Sequence, residues 1–192
     1  IPVSEAQKSY NFVRRYELMF TIGFGAMVSI LFLWGFVKNR SNNKQLIQAA
    51  ETDALTSAYN KRSTEERIHN VLQEHPQEPG TFVIMDVDHF KEVNDIYGHI
   101  TGDKVLHKFG EVLHEHFREG DIVGRIGGDE FVVFMRKTDS REAAVSRIES
   151  LIKKVEELSF TEMNGKNITI SVGMAFAPDH GTGYLDLYKN AD

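Results

Sequence analysis

Apolar residues are spread along this chain in two ways. From Leu18 to Val37 twenty consecutive positions carry no charge, whereas after Asp53 apolar positions recur at helix or strand spacing. At about 1.5 Å rise per residue the first run spans roughly 30 Å, the thickness of a bilayer core. Trp34 lies near one end, where an interfacial indole is favoured. The pattern predicts one transmembrane helix over 18–37. A buried core helix and a signal peptide are the alternatives. A small domain seldom buries so long an uncharged run, and a signal peptide has a shorter apolar stretch with a small-residue cleavage site. Arg14 and Arg15 close one flank and Lys38 and Arg40 the other, so positive charge does not orient the segment. Residues 1–17 are too few for a domain. They read as a juxtamembrane piece or the end of a missing sensor, in keeping with a chain that opens on Ile1. Residues 38–52 are polar with few breakers and predict a linker helix.

The soluble part, 53–192, alternates between the two periods. Asn60 to Gln73 reads as a helix ended by the Pro76–Gly80 breakers. Thr81 to Val87 is an apolar, β-branched strand. Gly102 to Arg118 places Val105, Leu106, Phe109, Val112, Leu113 and Phe117 on one helical face. Asp121–Ile126 and Phe131–Arg136 predict a hairpin. Ser140 to Leu158 is a further helix, with Ala144, Ile148, Ile152 and Val155 inward. Asn167 to Phe176 alternates as a strand, and Tyr184 onward turns helical. The order β-α-β-β-α-β predicts an α+β, ferredoxin-like fold: an antiparallel sheet with helices packed on one face.

Composition narrows the chemistry. A formal net charge of −6 argues against a surface that coats a nucleic-acid polymer. It leaves room for a single nucleotide, because bound cations supply local positive charge. The absence of cysteine removes disulfides, zinc–thiolate centres and thiol catalysis.

Carboxylates then stand out at strand ends. Arg125-Ile126-Gly127-Gly128-Asp129-Glu130-Phe131 places two acids at a Gly-Gly turn, and Met85-Asp86-Val87-Asp88-His89-Phe90-Lys91 ends the first strand on two more. If the strand and the hairpin are neighbours, Asp86 approaches Asp129 and Glu130. Such a group is costly without a counter-ion, and a hard divalent cation with oxygen ligands supplies one. A backbone carbonyl at Val87 would add to the set. Lys91 is placed to neutralise a phosphate. Asn94 and Asp103 have the donors and acceptors to read a guanine edge. Plainer readings stand beside these: solvated acids at turns, Asn94 in a turn, His99 in a loop, and Asp103 in the first turn of a helix. His114 and His116 are two apart on a helix and point apart.

Together, Asp86 through Lys91, Asn94-Asp95, Gly98-His99, Gly102-Asp103 and Gly127-Gly128-Asp129-Glu130-Phe131 resemble the GGDEF family of diguanylate cyclases. Asp53-Ala54-Leu55-Thr56-Ser57-Ala58-Tyr59-Asn60-Lys61-Arg62 resembles that family's opening signature, with departures at Ala58 and Lys61. The resemblance covers about Asp53 to Asp192 and implies a nucleotidyl-cyclase-type fold that condenses two GTP into cyclic di-GMP with release of two pyrophosphates. It implies Mg²⁺, or Mn²⁺ in its place, on Asp86, Asp129, Glu130 and the Val87 carbonyl. Asp129 would be the general base, with Glu130 supporting the metal and Lys91 stabilising the transition state. Phe90, Asn94, His99 and Asp103 would bind substrate. Arg118-Glu119-Gly120-Asp121 matches the family's R-x-x-D product-inhibition site. Ring closure needs two facing domains, so a homodimer is implied. Because GTP is cytosolic, so is a domain on the cytoplasmic side of the inner membrane. The family's domain continues beyond Ala191-Asp192 into a basic helix and a last strand, so this stretch is expected to be truncated. The competing expectation is a non-catalytic receptor for GTP or cyclic di-GMP.

Overall fold

The computed structural model describes residues 14–34, 36, 38 and 51–192. It divides into a unit ending at Ala50 and a unit from Glu51 to Asp192. In the first, helix α1 (Arg14–Trp34) is long and apolar enough to cross a membrane, with its large side chains exposed, Phe20 by 75% and Phe32 by 74%. It begins four residues before the expected span. Residues 1–13 of the juxtamembrane segment, and 39–50 of the expected linker helix, lie outside the described residues.

The second unit is built on one five-stranded sheet. Its elements are β1 (Tyr59–Asn60), α2 (Lys61–Glu74), β2 (Gly80–Val87), α3 (Phe90–Tyr97), α4 (His99–His116), β3 (Ile122–Arg125), β4 (Glu130–Arg136), α5 (Arg141–Glu156), β5 (Ser159–Phe160), β6 (Lys166–Asn167), β7 (Ile170–Ala177) and α6 (Tyr184–Ala191). The strand order is β1-β3-β4-β2-β7, with β5 and β6 forming a separate small hairpin. β2 lies antiparallel between β4 and β7, and β3 is antiparallel to β4. These four strands have the ferredoxin-like order expected. β1 adds a parallel pair on β3, so the sheet is mixed rather than wholly antiparallel.

Helices cover both faces, which corrects the one-face expectation. On one face Val83, Met85, Phe131 and Val133 pack with α4 and α5 through Phe109, Leu113, Ile148 and Leu151. On the other, Phe82, Ile84, Val132 and Phe134 meet Ile68 and Leu72 of α2 and Leu187 of α6. The reason lies in β2 and β4 themselves. Their apolar residues run continuously instead of alternating, so each strand has an apolar row on both sides to bury. Side chains cap two of the helices: Asn60 accepts from the Ser63 amide on α2, and Ser140 from the Ala143 amide on α5.

The helix α3 was not anticipated. It has eight residues and buries only Val93, too little for a visible period, and it stops at Gly98, whose φ of 82° suits glycine. α4 therefore opens at His99 rather than Gly102, and Asp103 falls in its second turn.

Candidate active site

The register of the central strands gathers the acids. Asp86, one residue from the end of β2, lies directly opposite Glu130 on β4 and Ser171 on β7. Opposite residues in an antiparallel pair have Cα atoms about 4.5–5.5 Å apart. Asp129 immediately precedes β4. Partial burial pushes the Asp86 carboxyl above its ordinary pKa, and the charges of Asp129, Glu130 and Asp88 push it the same way. Asp86, Glu130 and Ser171 line a cleft of about 360 Å³. Val87, the last residue of β2, is wholly buried.

Among the described residues no three His, Cys, Asp or Glu groups form a ready metal cage. Mg²⁺ usually takes one or two carboxylates and completes its shell with water and substrate phosphates. The donors are all hard oxygens, and their mutual repulsion is the charge imbalance a divalent cation would relieve.

The second acid of the strand end has a different environment. The Asp88 carboxylate accepts from the Thr169 and Ser171 hydroxyls, each at 2.6 Å, while its amide donates to the Thr169 carbonyl. These bonds hold its pKa below the ordinary value. Asp88 thus clamps the end of β2 to β7 and is spent on structure. His89 follows in the left-handed region, with φ of 56°, and starts α3.

Lys91 is exposed in the first turn of α3 and has no ion-pair partner among the described residues. Phe90 and Asn94 lean from α3 onto α4 at Gly102. A Cβ there would run into the Asn94 amide and come within 3.2 Å of the Phe90 ring. Gly102 is what lets Asn94 sit against α4 next to Asp103. Asp103 is exposed and lines a cleft of about 540 Å³ with Leu55, Ile100 and Phe160. His99 is exposed at the start of α4.

Two residues that position the turn carried no role in the sequence reading. Arg125 donates through Nε and Nη2 to the Gly128 carbonyl, at 3.2 and 2.7 Å, and through Nη1 to Asp53 at 3.0 Å. Asp53 also accepts from the amide and hydroxyl of Thr56. Burial raises the Asp53 pKa, and these bonds more than offset it, leaving the carboxyl below its ordinary value. The Gly-Gly turn is thereby tied to the opening segment of the domain. Gly127 has a separate reason to be glycine: a side chain there would meet the Glu130 carboxylate at 2.5 Å.

Arg118 and Asp121 lie apart from the acids, at the loop between α4 and β3. Asp121 accepts from the backbone amides of Arg118, at 3.0 Å, and Arg136, at 3.1 Å. Arg118 and Asp121 also line a cleft of about 390 Å³ with His114, Phe117 and Tyr59.

Comparison with known proteins shows the family to which this fold belongs. The profile of the family described as "Diguanylate cyclase, GGDEF domain" matches residues 50–192, and the chain belongs to that family. It is 34% identical over 152 residues to the bifunctional diguanylate cyclase/cyclic di-GMP phosphodiesterase MucR of Pseudomonas aeruginosa, covering 78% of this chain and 22% of that protein. The GGDEF domain of TpbB (YfiN) from Pseudomonas aeruginosa superposes with a TM-score of 0.68 at 30% identity, covering 73% of this chain and 84% of that one. The GGDEF domain of DgcB from Caulobacter crescentus, solved with c-di-GMP, gives 0.67 at 25% identity over 74% of this chain and 84% of its own. The chain spans about a fifth to two fifths of the length of the curated relatives it matches, between 22% and 42%.

Proposed function

We propose that this chain is the cyclase part of a membrane-anchored diguanylate cyclase that joins two GTP into cyclic di-GMP and two pyrophosphates. The observation that carries the reading is the strand register that sets Asp86 opposite Glu130 and beside Asp129, where unbalanced negative charge collects. Membership of the family and relatives named diguanylate cyclases support it.

When bound, Mg²⁺ (or Mn²⁺) would neutralise phosphate charge and make a ribose 3′-hydroxyl easier to deprotonate. Asp86, Asp129, Glu130 and the Val87 carbonyl are the groups that would hold it. Asp129 takes the proton from the 3′-hydroxyl of one GTP. That oxygen bonds to the α-phosphorus of the second GTP, and the bond to pyrophosphate breaks. Repeating the step with the roles exchanged closes the ring. Lys91, unpaired and exposed, meets the charge developing on the phosphates. Asn94 and Asp103 read the guanine, with Phe90 and His99 lining its approach. Each domain carries one GTP, so a homodimer is the working unit. α1 anchors it in the inner membrane with residues 53–192 in the cytoplasm, and residues 38–52 link the two. Arg118 and Asp121 bind the product and slow turnover.

The test is pyrophosphate release from GTP and Mg²⁺ by the full chain and by an Asp129→Ala variant. Release is expected from the unsubstituted chain, and a loss of at least about a hundredfold from the variant. GTP binding without release would instead support a receptor module. Turnover unaffected by the substitution would remove Asp129 from the chemistry.

A further inference from the structure

We propose that Arg136 is a second arginine of the product-binding site, gripping one phosphate of cyclic di-GMP together with Arg118. This rests on the product-site reading of Arg118 and Asp121.

Asp121 acts as a bracket. One of its carboxylate oxygens accepts from the Arg118 amide and the other from the Arg136 amide. A single side chain therefore holds the loop before β3 against the end of β4, and brings two arginines side by side that are eighteen positions apart in sequence.

Among the described residues neither guanidinium has a hydrogen-bond or ion-pair partner, and the Arg136 Nε is buried with no acceptor. Arg118 is exposed and Arg136 half-buried, and the other half-buried arginines of the domain are occupied. Arg125 bonds Asp53 and Gly128, and Arg147 bonds the His116 carbonyl. A buried donor left unmade is costly, and a cationic one more so, which marks the place where an anion belongs.

The space beside them fits a phosphate. Arg118 and Arg136 share a cleft of about 80 Å³ with Lys137 and Arg147, against the carboxylates of Asp121 and Asp139. Four cations facing two acids leave it positive. The cleft has room for a tetrahedral anion. Arg118 also borders the larger cleft beside Phe117 and Tyr59, where a base would fit. A phosphate at the small cleft and a base at the large one, joined across Arg118, describe a nucleotide with a bridging phosphate. The fork of an arginine pair suits that phosphate better than point charges would.

The experiment is calorimetric titration of cyclic di-GMP into the full chain in detergent, without GTP or Mg²⁺, with inorganic phosphate as a parallel probe. Arg136→Ala and Arg118→Ala should each weaken binding about tenfold or more, and their combination by less than the product of the two, because both grip one group. Arg136→Met keeps the apolar stem and should show the same loss if the alanine variant folds poorly. Lys137→Ala, which removes an equal charge from the neighbouring position, should cost less than about threefold. Arg136 variants that bind like the unsubstituted chain while Arg118→Ala is weakened would exclude Arg136 and leave the product site standing. An unsubstituted chain that binds no cyclic di-GMP would end both readings while leaving pyrophosphate release as a separate question. Inorganic phosphate bound as tightly as cyclic di-GMP would show a simple anion site and overturn the dinucleotide assignment.

Discussion

Strand β4 begins at Glu130 and ends at Arg136, and the two ends gather opposite charge. Over about 20 Å of strand the surroundings change from carboxylates that repel one another to guanidinium groups that lack an acceptor. Nearby acids are treated otherwise. Asp88 is filled by two hydroxyls, and Asp53 by Thr56 and Arg125. Residue type alone does not separate these groups, since aspartates occur in both. What separates them is whether the fold supplies a partner. Satisfied charges hold the scaffold; those left open at either end of β4 are where ligands of opposite sign have a reason to bind.

If this contrast is sound, removing a satisfied group should cost stability. Arg125→Ala breaks three hydrogen bonds from a side chain only 15% exposed and frees the Gly128 carbonyl. The expected loss is about 2 kcal/mol in chemical denaturation. Turnover should also fall about tenfold, because Asp129 follows the released turn directly. An unchanged denaturation midpoint would show that the tie between the opening segment and the turn carries no energy.

Removing an unsatisfied group should do the reverse. Burial and three neighbouring acids raise the Asp86 pKa, so the folded state disfavours its charged form. That penalty is present above the raised pKa and relieved as pH falls through it. Asp86→Asn should therefore raise the melting temperature of the metal-free chain at neutral pH by on the order of 2 °C. It should also remove most of the stabilisation that added Mg²⁺ gives the unsubstituted chain. A lower melting temperature in the variant would mean that Asp86 is a structural acid like Asp88.

Much of this architecture was legible in the sequence. The six-residue stripe of α4 and the apolar runs of β2 and β4 have lengths and periods that few other structures accommodate. The runs even carried the signal for two covered faces, since a strand with water on one side alternates. The acids at the ends of two neighbouring strands were equally visible. Their division of labour was not. Whether Asp86 or Asp88 stays open depends on Thr169 and Ser171, more than eighty positions away. Arg125 reaches Asp53 across 72 positions, and Arg136 reads simply as a strand end until Asp121 brings it to Arg118. α3 escaped because one buried valine in two turns makes no period.

The smallest effect is expected beside the basic end, at His116. Its ring bonds the Arg147 carbonyl at 2.9 Å. Burial lowers its pKa below the ordinary 6.5 and outweighs that bond, and the charges of Lys154 and Arg147 act in the same direction as burial. Protonation thus costs the folded chain more than the unfolded one. The stability this histidine contributes is fully present above 6.5 and is lost as pH falls below that value toward the depressed pKa. His116→Gln keeps a donor for the carbonyl and cannot be protonated. Between about pH 7.5 and about pH 5.5 the unsubstituted chain should lose on the order of 1 °C more in melting temperature than the variant. Identical losses would mean that His116 accepts its proton freely despite its burial and the charges of Lys154 and Arg147.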